Sequence, residues 1–208
     1  LAFLCGAEAD ALEDGQARAA QHLRRLQQAF LDEHLLWWLP CLAAALQHQP
    51  APFYAAMADV TLTLVAAHRA ALPPAPAPAG DRLPACSQPL DDPATGLQEI
   101  AAFLAAPVCS GIYLSREDIA ALARGAGLPR GFGDRRLMLT NLLRAAGEFD
   151  SVAAVVARMQ AIAAEFAAAY VRFAAGGAAF VPSADAWRAR VAGAASLLDQ
   201  LAAAASQS

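Results

Sequence analysis

The sequence predicts an all-α protein, a multi-helix bundle of nine or ten helices with no sheet. Three observations lead there. Hydrophobic residues make up 58% of the 208 residues, but much of that share is alanine, the best helix former and a poor strand residue. Apolar residues between Gln21 and Leu46 recur at 3.6-residue spacing. Prolines and glycines punctuate the rest at intervals that suit helices, and no stretch alternates as a half-buried strand does.

Each element follows from local signals. Leu1 to Asp14 reads as a helix that opens on apolar residues with no cap, so a start upstream of Leu1 is expected; Gly15 breaks it. A long helix follows from about Gln16 to Leu39. Leu23, Leu26, Phe30, His34 and Trp37 fall on one face of it, and Leu31, Leu35, Trp38 and Leu42 on a neighbouring one. So wide an apolar surface implies packing on more than one side, near the centre of a bundle. Pro40 lacks an N–H and disfavours helical geometry at Leu39, which predicts a kink there, or a restart as a short helix to about His48. Phe53 to Leu72 forms the next helix, with Pro52 near its first turn and Phe53, Met57, Val60, Leu64 and Ala67 as its apolar stripe.

Pro73 to Pro93 holds seven prolines and reads as a linker or exposed loop. It separates a helical core, residues 1–72, from a second helical segment, residues 94–208, as two domains or two lobes of one bundle. In that second segment Asp92-Pro93 caps a helix to about Ala106, which Pro107 ends. Ser115 to Asp118 has the form of a capping box, and its helix stops at Gly125 or Gly127. Gly133-Asp134 opens another to about Ala146, with Gly147 just past its end. Ser151 caps a long helix to Ala175, closed by Gly176-Gly177. Ser183 caps the last, to about Ala204, and residues 205–208 fray.

The composition excludes several function classes. With a net charge of −4 and 15 arginines that nowhere cluster, the chain has no basic face for nucleic acid, though it can accept a basic peptide. Cys5, Cys41, Cys86 and Cys109 lie far apart without a CxxC, which reads as buried free thiols in a reducing compartment. The most apolar run, Ala161 to Val181, is interrupted by Glu165, Arg172 and two glycines, so no membrane span is expected. Leu1 to Cys5 lacks the basic lead of a signal peptide. A soluble, cytoplasmic protein is the expectation.

No motif calls for an enzyme, a cofactor or a metal. Asp32, Glu33 and His34 form an acid–imidazole cluster, but no nucleophile is placed to use it, so a polar binding site or a structural His is the better reading. Gly131 to Arg136 superficially resembles a phosphate loop, without a preceding strand or a GK[ST]. His22, His48 and His68 lack metal-ligand spacing. Glu165 and Arg172 read as a solvated or inter-helix polar pair.

Three stretches carry a resemblance: LAFLCGAEADALEDG, QQAFLDEHLLWWLPCLAAAL and PAPFYAAMADVTLTLVAAH. Leu1, Phe3 and Leu4, then Phe30, His34, Leu35, Trp38 and Pro40, then Pro52, Phe53 and Tyr54 resemble motifs of the TorD/DmsD-type chaperones. These are cytoplasmic maturation proteins of exported molybdenum-cofactor enzymes. AAFLAAPVCSGIYLSREDIAALARGAGLPRGFGDRRLMLTNLLRAAG is similar to a segment of some members. The family's hinge motif, which would precede Leu1, is not in the chain.

The resemblance implies an all-α chaperone that binds the twin-arginine leader and the apo form of a molybdoenzyme before export. A basic, apolar leader needs carboxylates beside an apolar groove. Asp32, Glu33, His34, Leu35, Trp37, Trp38 and Pro40 are the candidate peptide-binding residues, with Glu8, Asp10, Glu13 and Asp14 adding acidity. At least one of the two tryptophans is expected in the core. The alternative is a helical ligand-binding or dimerisation module, and a homodimer is compatible with either reading.

Overall fold

The computed structural model describes residues 1–73, 83–92 and 94–205. Among them the protein is all α-helical, without strands. The helices are α1 (Ala2–Glu13), α2 (Ala17–Phe30), α3 (Leu36–His48), α4 (Pro52–Ala71), α5 (Leu97–Ala105), α6 (Pro107–Ser110), α7 (Arg116–Gly125), α8 (Arg135–Glu148), α9 (Val152–Gly176) and α10 (Val181–Ala205). A π turn, Leu31–Leu35, joins α2 to α3 without a break, so Ala17–His48 is one rod and the described helices form nine rods.

The chain divides into two compact units. Unit 1 is Leu1–Arg82 with Arg172–Ala184, and unit 2 is Leu83–Val171 with Asp185–Ser208. The first boundary falls in the proline-rich stretch expected to divide the chain, but residues 172–184 belong with the first unit. Part of the expected linker, residues 74–82 and Pro93, lies outside the described residues, as do residues 206–208 of the expected frayed tail.

In unit 1, α1 packs on α2 and α3 packs on α4, with the 3₁₀ turn Ala178–Phe180 against both α3 and α4. Pro52 stands in the first turn of α4, as expected. The buried residues of α4 are Ala58, Leu62 and Val65. The stripe read from its periodicity, Phe53, Met57, Val60 and Leu64, faces outward, Phe53 being 68% and Leu64 64% exposed. Alanine-rich helices offer apolar character on several faces, and the face with smaller residues allows the closer approach.

In unit 2, α5 packs on α8 and α7 on α8. Tyr170 is fully buried, stacks on Trp187 at 6.2 Å between ring centroids, and donates its hydroxyl to the Gly111 carbonyl at 2.8 Å. Gly111 ends α6 at φ +72, and a Cβ there would lie 2.6 Å from the Val191 nitrogen, so only glycine fits. The expected capping box is present: Ser115 Oγ accepts the Asp118 N–H at 3.1 Å, and Asp118 Oδ2 accepts the Ser115 N–H at 2.7 Å.

Several boundaries differ from those read off the sequence. α5 starts at Leu97, where Glu99 accepts the Gly96 N–H at 3.0 Å; Asp92 instead accepts the Ala94 N–H at 2.9 Å in a local turn. Pro107 opens the short helix α6 rather than only ending α5. α8 runs through Gly147 to Glu148. α10 begins at Val181 directly from a 3₁₀ turn, so Ser183 is buried inside it and donates to the Phe180 carbonyl at 3.1 Å. Cys86 and Cys109 form a disulfide with Cα atoms 5.4 Å apart, which overturns the expectation of four free thiols; Cys5 and Cys41 are not disulfide-bonded. Wide sequence spacing is no bar once α6 carries Cys109 to residues 83–92. Ala17–His48 and Val152–Gly176 are long and apolar enough to cross a membrane by length and composition, where none was expected. Half of the apolar window in the first and a third in the second are buried, and core helices of soluble proteins meet the same test.

Candidate functional site

The site expected around Asp32 is built by the π turn. Leu36 donates its N–H to the Leu31 carbonyl, five residues back, which adds one residue to the turn. That residue shifts the buried stripe of the rod. Ala20, Gln27 and Leu31 are buried on α2 and in the turn; continued at α-helical spacing, the stripe would next take Leu35, Trp38 and Leu42. One residue later it takes Leu36, Leu39 and Ala43 instead, and those are the buried ones. Trp38 (47% exposed) and Leu42 (41%) are turned out to the surface.

The rod also passes Pro40 without restarting, contrary to the expected boundary at Leu39. Pro40 leaves the Leu36 carbonyl without its helical donor and crowds it. The π turn ends at the residue before Leu36, so the widened turn relieves the backbone where the ring presses on it.

The seven candidate residues therefore separate. Glu33, His34 and Trp38 are exposed, Asp32 and Leu35 are half-buried, and Trp37 and Pro40 lie in the core. Trp37 and Pro40 thus support the surface from beneath and do not line it, because the inserted residue turns their face inward. The Phe30 and His34 rings meet at 5.5 Å in a tilted arrangement. Asp32 already holds a guanidinium: Arg69 of α4 donates Nε to Oδ1 at 2.6 Å and NH2 to Oδ2 at 3.1 Å, a fork with both side chains largely covered. Arg69 also donates NH1 to the Pro73 carbonyl at 3.3 Å.

Sequence reasoning missed Arg69, 37 positions from Asp32, and it missed the buried amide one turn before Leu31. Gln27 is fully buried and its bonds tie three helices together. Its Nε2 donates to Glu8 Oε2 at 2.6 Å and to the Leu4 carbonyl at 3.3 Å. Its Oε1 accepts from His68 Nε2 at 3.0 Å and from the Cys5 thiol at 3.5 Å. The amide oxygen can only accept, so His68 carries its proton on Nε2. Glu8 pairs with Arg24 Nε at 2.5 Å. That guanidinium, with Gln27 and the nearby His68, holds the Glu8 carboxyl below the usual range against the opposing effect of burial. Glu8 is thus committed to structure, while Asp10, Glu13 and Asp14 are exposed.

The remaining motifs resolve as structure. Asp134 Oδ1 accepts the Leu137 N–H at 2.8 Å and caps α8, which places a carboxylate where a phosphate would have to sit. Arg172 donates to Gln47 at 3.2 Å. Among the described residues no group of three His, Cys, Asp or Glu side chains is placed to hold a metal ion. No family model, curated protein or solved structure matches the chain.

Proposed function

We propose that the protein is a peptide-binding chaperone, one that takes the twin-arginine leader and the apo form of a molybdenum-cofactor oxidoreductase before export. The observation that carries this reading is the π turn. It sets exposed Glu33 and His34 beside half-buried Asp32 and turns Trp38 and Leu42 outward on the same rod. Carboxylates beside an exposed indole suit a peptide with a basic head and an apolar stretch: Glu33 attracts a guanidinium and the Trp38 ring stacks with one. Asp32 is already occupied by the Arg69 fork, so the exposed carboxylate offered to a basic peptide is that of Glu33. The protein acts here by binding, with no catalytic residue.

Calorimetric titration with twin-arginine leader peptides tests the proposal. Saturable binding is expected, weakened on the order of tenfold by Glu33→Ala or Trp38→Ala, the loss of one charge-assisted contact. Absence of binding to every such leader sinks it. A second reading, a dimerisation module, is favoured by the exposed stripe of Phe53, Met57, Val60 and Leu64 on α4. A second copy of the chain is the occupant it predicts, and a strictly monomeric particle in light scattering would eliminate it.

A further inference from the structure

Unit 1 contains a cavity of about 470 Å³ bordered by α3, α4, the last turn of α9 and the 3₁₀ turn after it. The volume falls within the roughly 300–1,000 Å³ of ligand sites. Its apolar wall is Leu62, Phe173 and Phe180, all buried, and the small residues Ala66, Ala67 and Gly176 leave the space open. Its rim is polar, formed by Asp59, Gln47 and Arg172.

The rim has a definite polarity. Gln47 Nε2 donates to Asp59 Oδ1 at 2.6 Å, and Gln47 Oε1 accepts from Arg172 NH2 at 3.2 Å. One side-chain amide is therefore held with its donor toward a carboxylate and its acceptor toward a guanidinium. A main-chain peptide group offers the same pair, an N–H and a carbonyl. In this arrangement Asp59 engages one of its two oxygens and Arg172 one of its five N–H groups, so each has capacity for a second amide. The cavity exceeds what a single side chain fills, so an apolar segment several residues long suits it better than a free amino acid.

We propose that this cavity captures a short apolar peptide segment. One main-chain amide of the segment bonds to Asp59 and Arg172, and its side chains rest on Leu62, Phe173 and Phe180. The proposal rests on the peptide-binding reading above and assigns the apolar part of the peptide to a separate place.

Gly176 supplies a selective perturbation. Gly176 lines the cavity at an exposed position and a Cβ there meets no atom within 4 Å, so Gly176→Leu adds bulk at the cavity's edge with no clash at Cβ, and leucine favours helix over glycine. Fluorescence anisotropy is read with two peptides, a twin-arginine leader and the same peptide with its apolar stretch kept and every arginine removed. Gly176→Leu and Arg172→Gln are compared with the parent, and Gly176→Ala serves as control; circular dichroism verifies that each is folded. The expected result is that the arginine-free peptide binds and that both variants weaken it on the order of tenfold, Gly176→Ala leaving it unchanged. If the leader binds but neither variant weakens either peptide, the cavity proposal is overturned and leader recognition stands. If the arginine-free peptide binds through the cavity as tightly as the leader does, the cavity stands and twin-arginine recognition falls. If neither peptide binds, both fall.

Discussion

Gln27→Leu removes the hub of unit 1 while keeping its bulk. The substitution deletes the donor to Glu8, a bond to a carboxylate of about 1.5–3 kcal/mol, and two neutral bonds of about 1 kcal/mol each, to the Leu4 carbonyl and from His68. The thiol contact of Cys5 is weaker. The Leu4 carbonyl sits in the first turn of α1 and keeps its helical donor, and the leucine side chain regains apolar burial. A net loss of about 3 kcal/mol remains. In a unit of roughly 100 residues each kcal/mol moves the midpoint by about 4–8 °C, so the transition of unit 1 should fall by at least about 10 °C. Scanning calorimetry is the assay, because two compact units need not unfold as one. A drop of less than about 3 °C would refute the argument that this buried amide holds α1, α2 and α4 together. The pH dependence gives a second readout. The folded pKa of Glu8 is lowered, so its stabilisation is complete above the unfolded value and is lost as pH falls through the folded one. The unit 1 midpoint of Glu8→Gln should therefore depend less on pH in the acid range than that of the parent.

Other outcomes follow from single features. Cys86→Ser opens a cross-link between positions 23 apart, and chain entropy makes that worth about 3 kcal/mol; a denaturant midpoint for unit 2 indifferent to reductant would rule the disulfide out. Gly111→Ala places a Cβ 2.6 Å from the Val191 nitrogen at φ +72 and should cost well over about 2 kcal/mol by chemical denaturation. Gly127→Ala, at φ +69 with open space around it, should cost only about 1 kcal/mol, and equal costs for the two would discredit the steric account. Phe53→Ser combined with Leu64→Ser should leave stability within about 1 kcal/mol and lower any self-association seen by sedimentation; a large loss of stability would mean that the stripe is buried.

What was legible in the chain was local. Ser115 and Asp118 announce a helix start because their reciprocal bonds involve only neighbours three residues apart, and Asp134 does the same for α8. Alanine content and the 3.6-residue period suffice for the fold class. What was hidden depends on distant partners or on one misplaced residue. Asp32 finds Arg69, and Cys86 finds Cys109, only after the helices have packed. On α4 the residues at 53, 57, 60 and 64 look like a core stripe, yet Ala58, Leu62 and Val65 are buried, because hydropathy cannot rank two apolar faces of one helix. Near the candidate site, Trp37 and Trp38 could be told apart only by the five-residue turn that precedes them.

That turn makes the register of the rod depend on geometry as well as on residue count. Straightening Leu31–Leu35 into an even helix without shortening it would rotate everything beyond by about 100°. Trp38 and Leu42 would go to the interior, while Leu36 and Leu39 would come to the surface. Removal of one residue from the turn would take away the bulge and the extra residue together, so Leu36 would stand at α-helical spacing from Leu31 and the inward face would be kept. For anyone redesigning this surface, the turn is the place where the rod can lose a residue, and the even helix on either side is not.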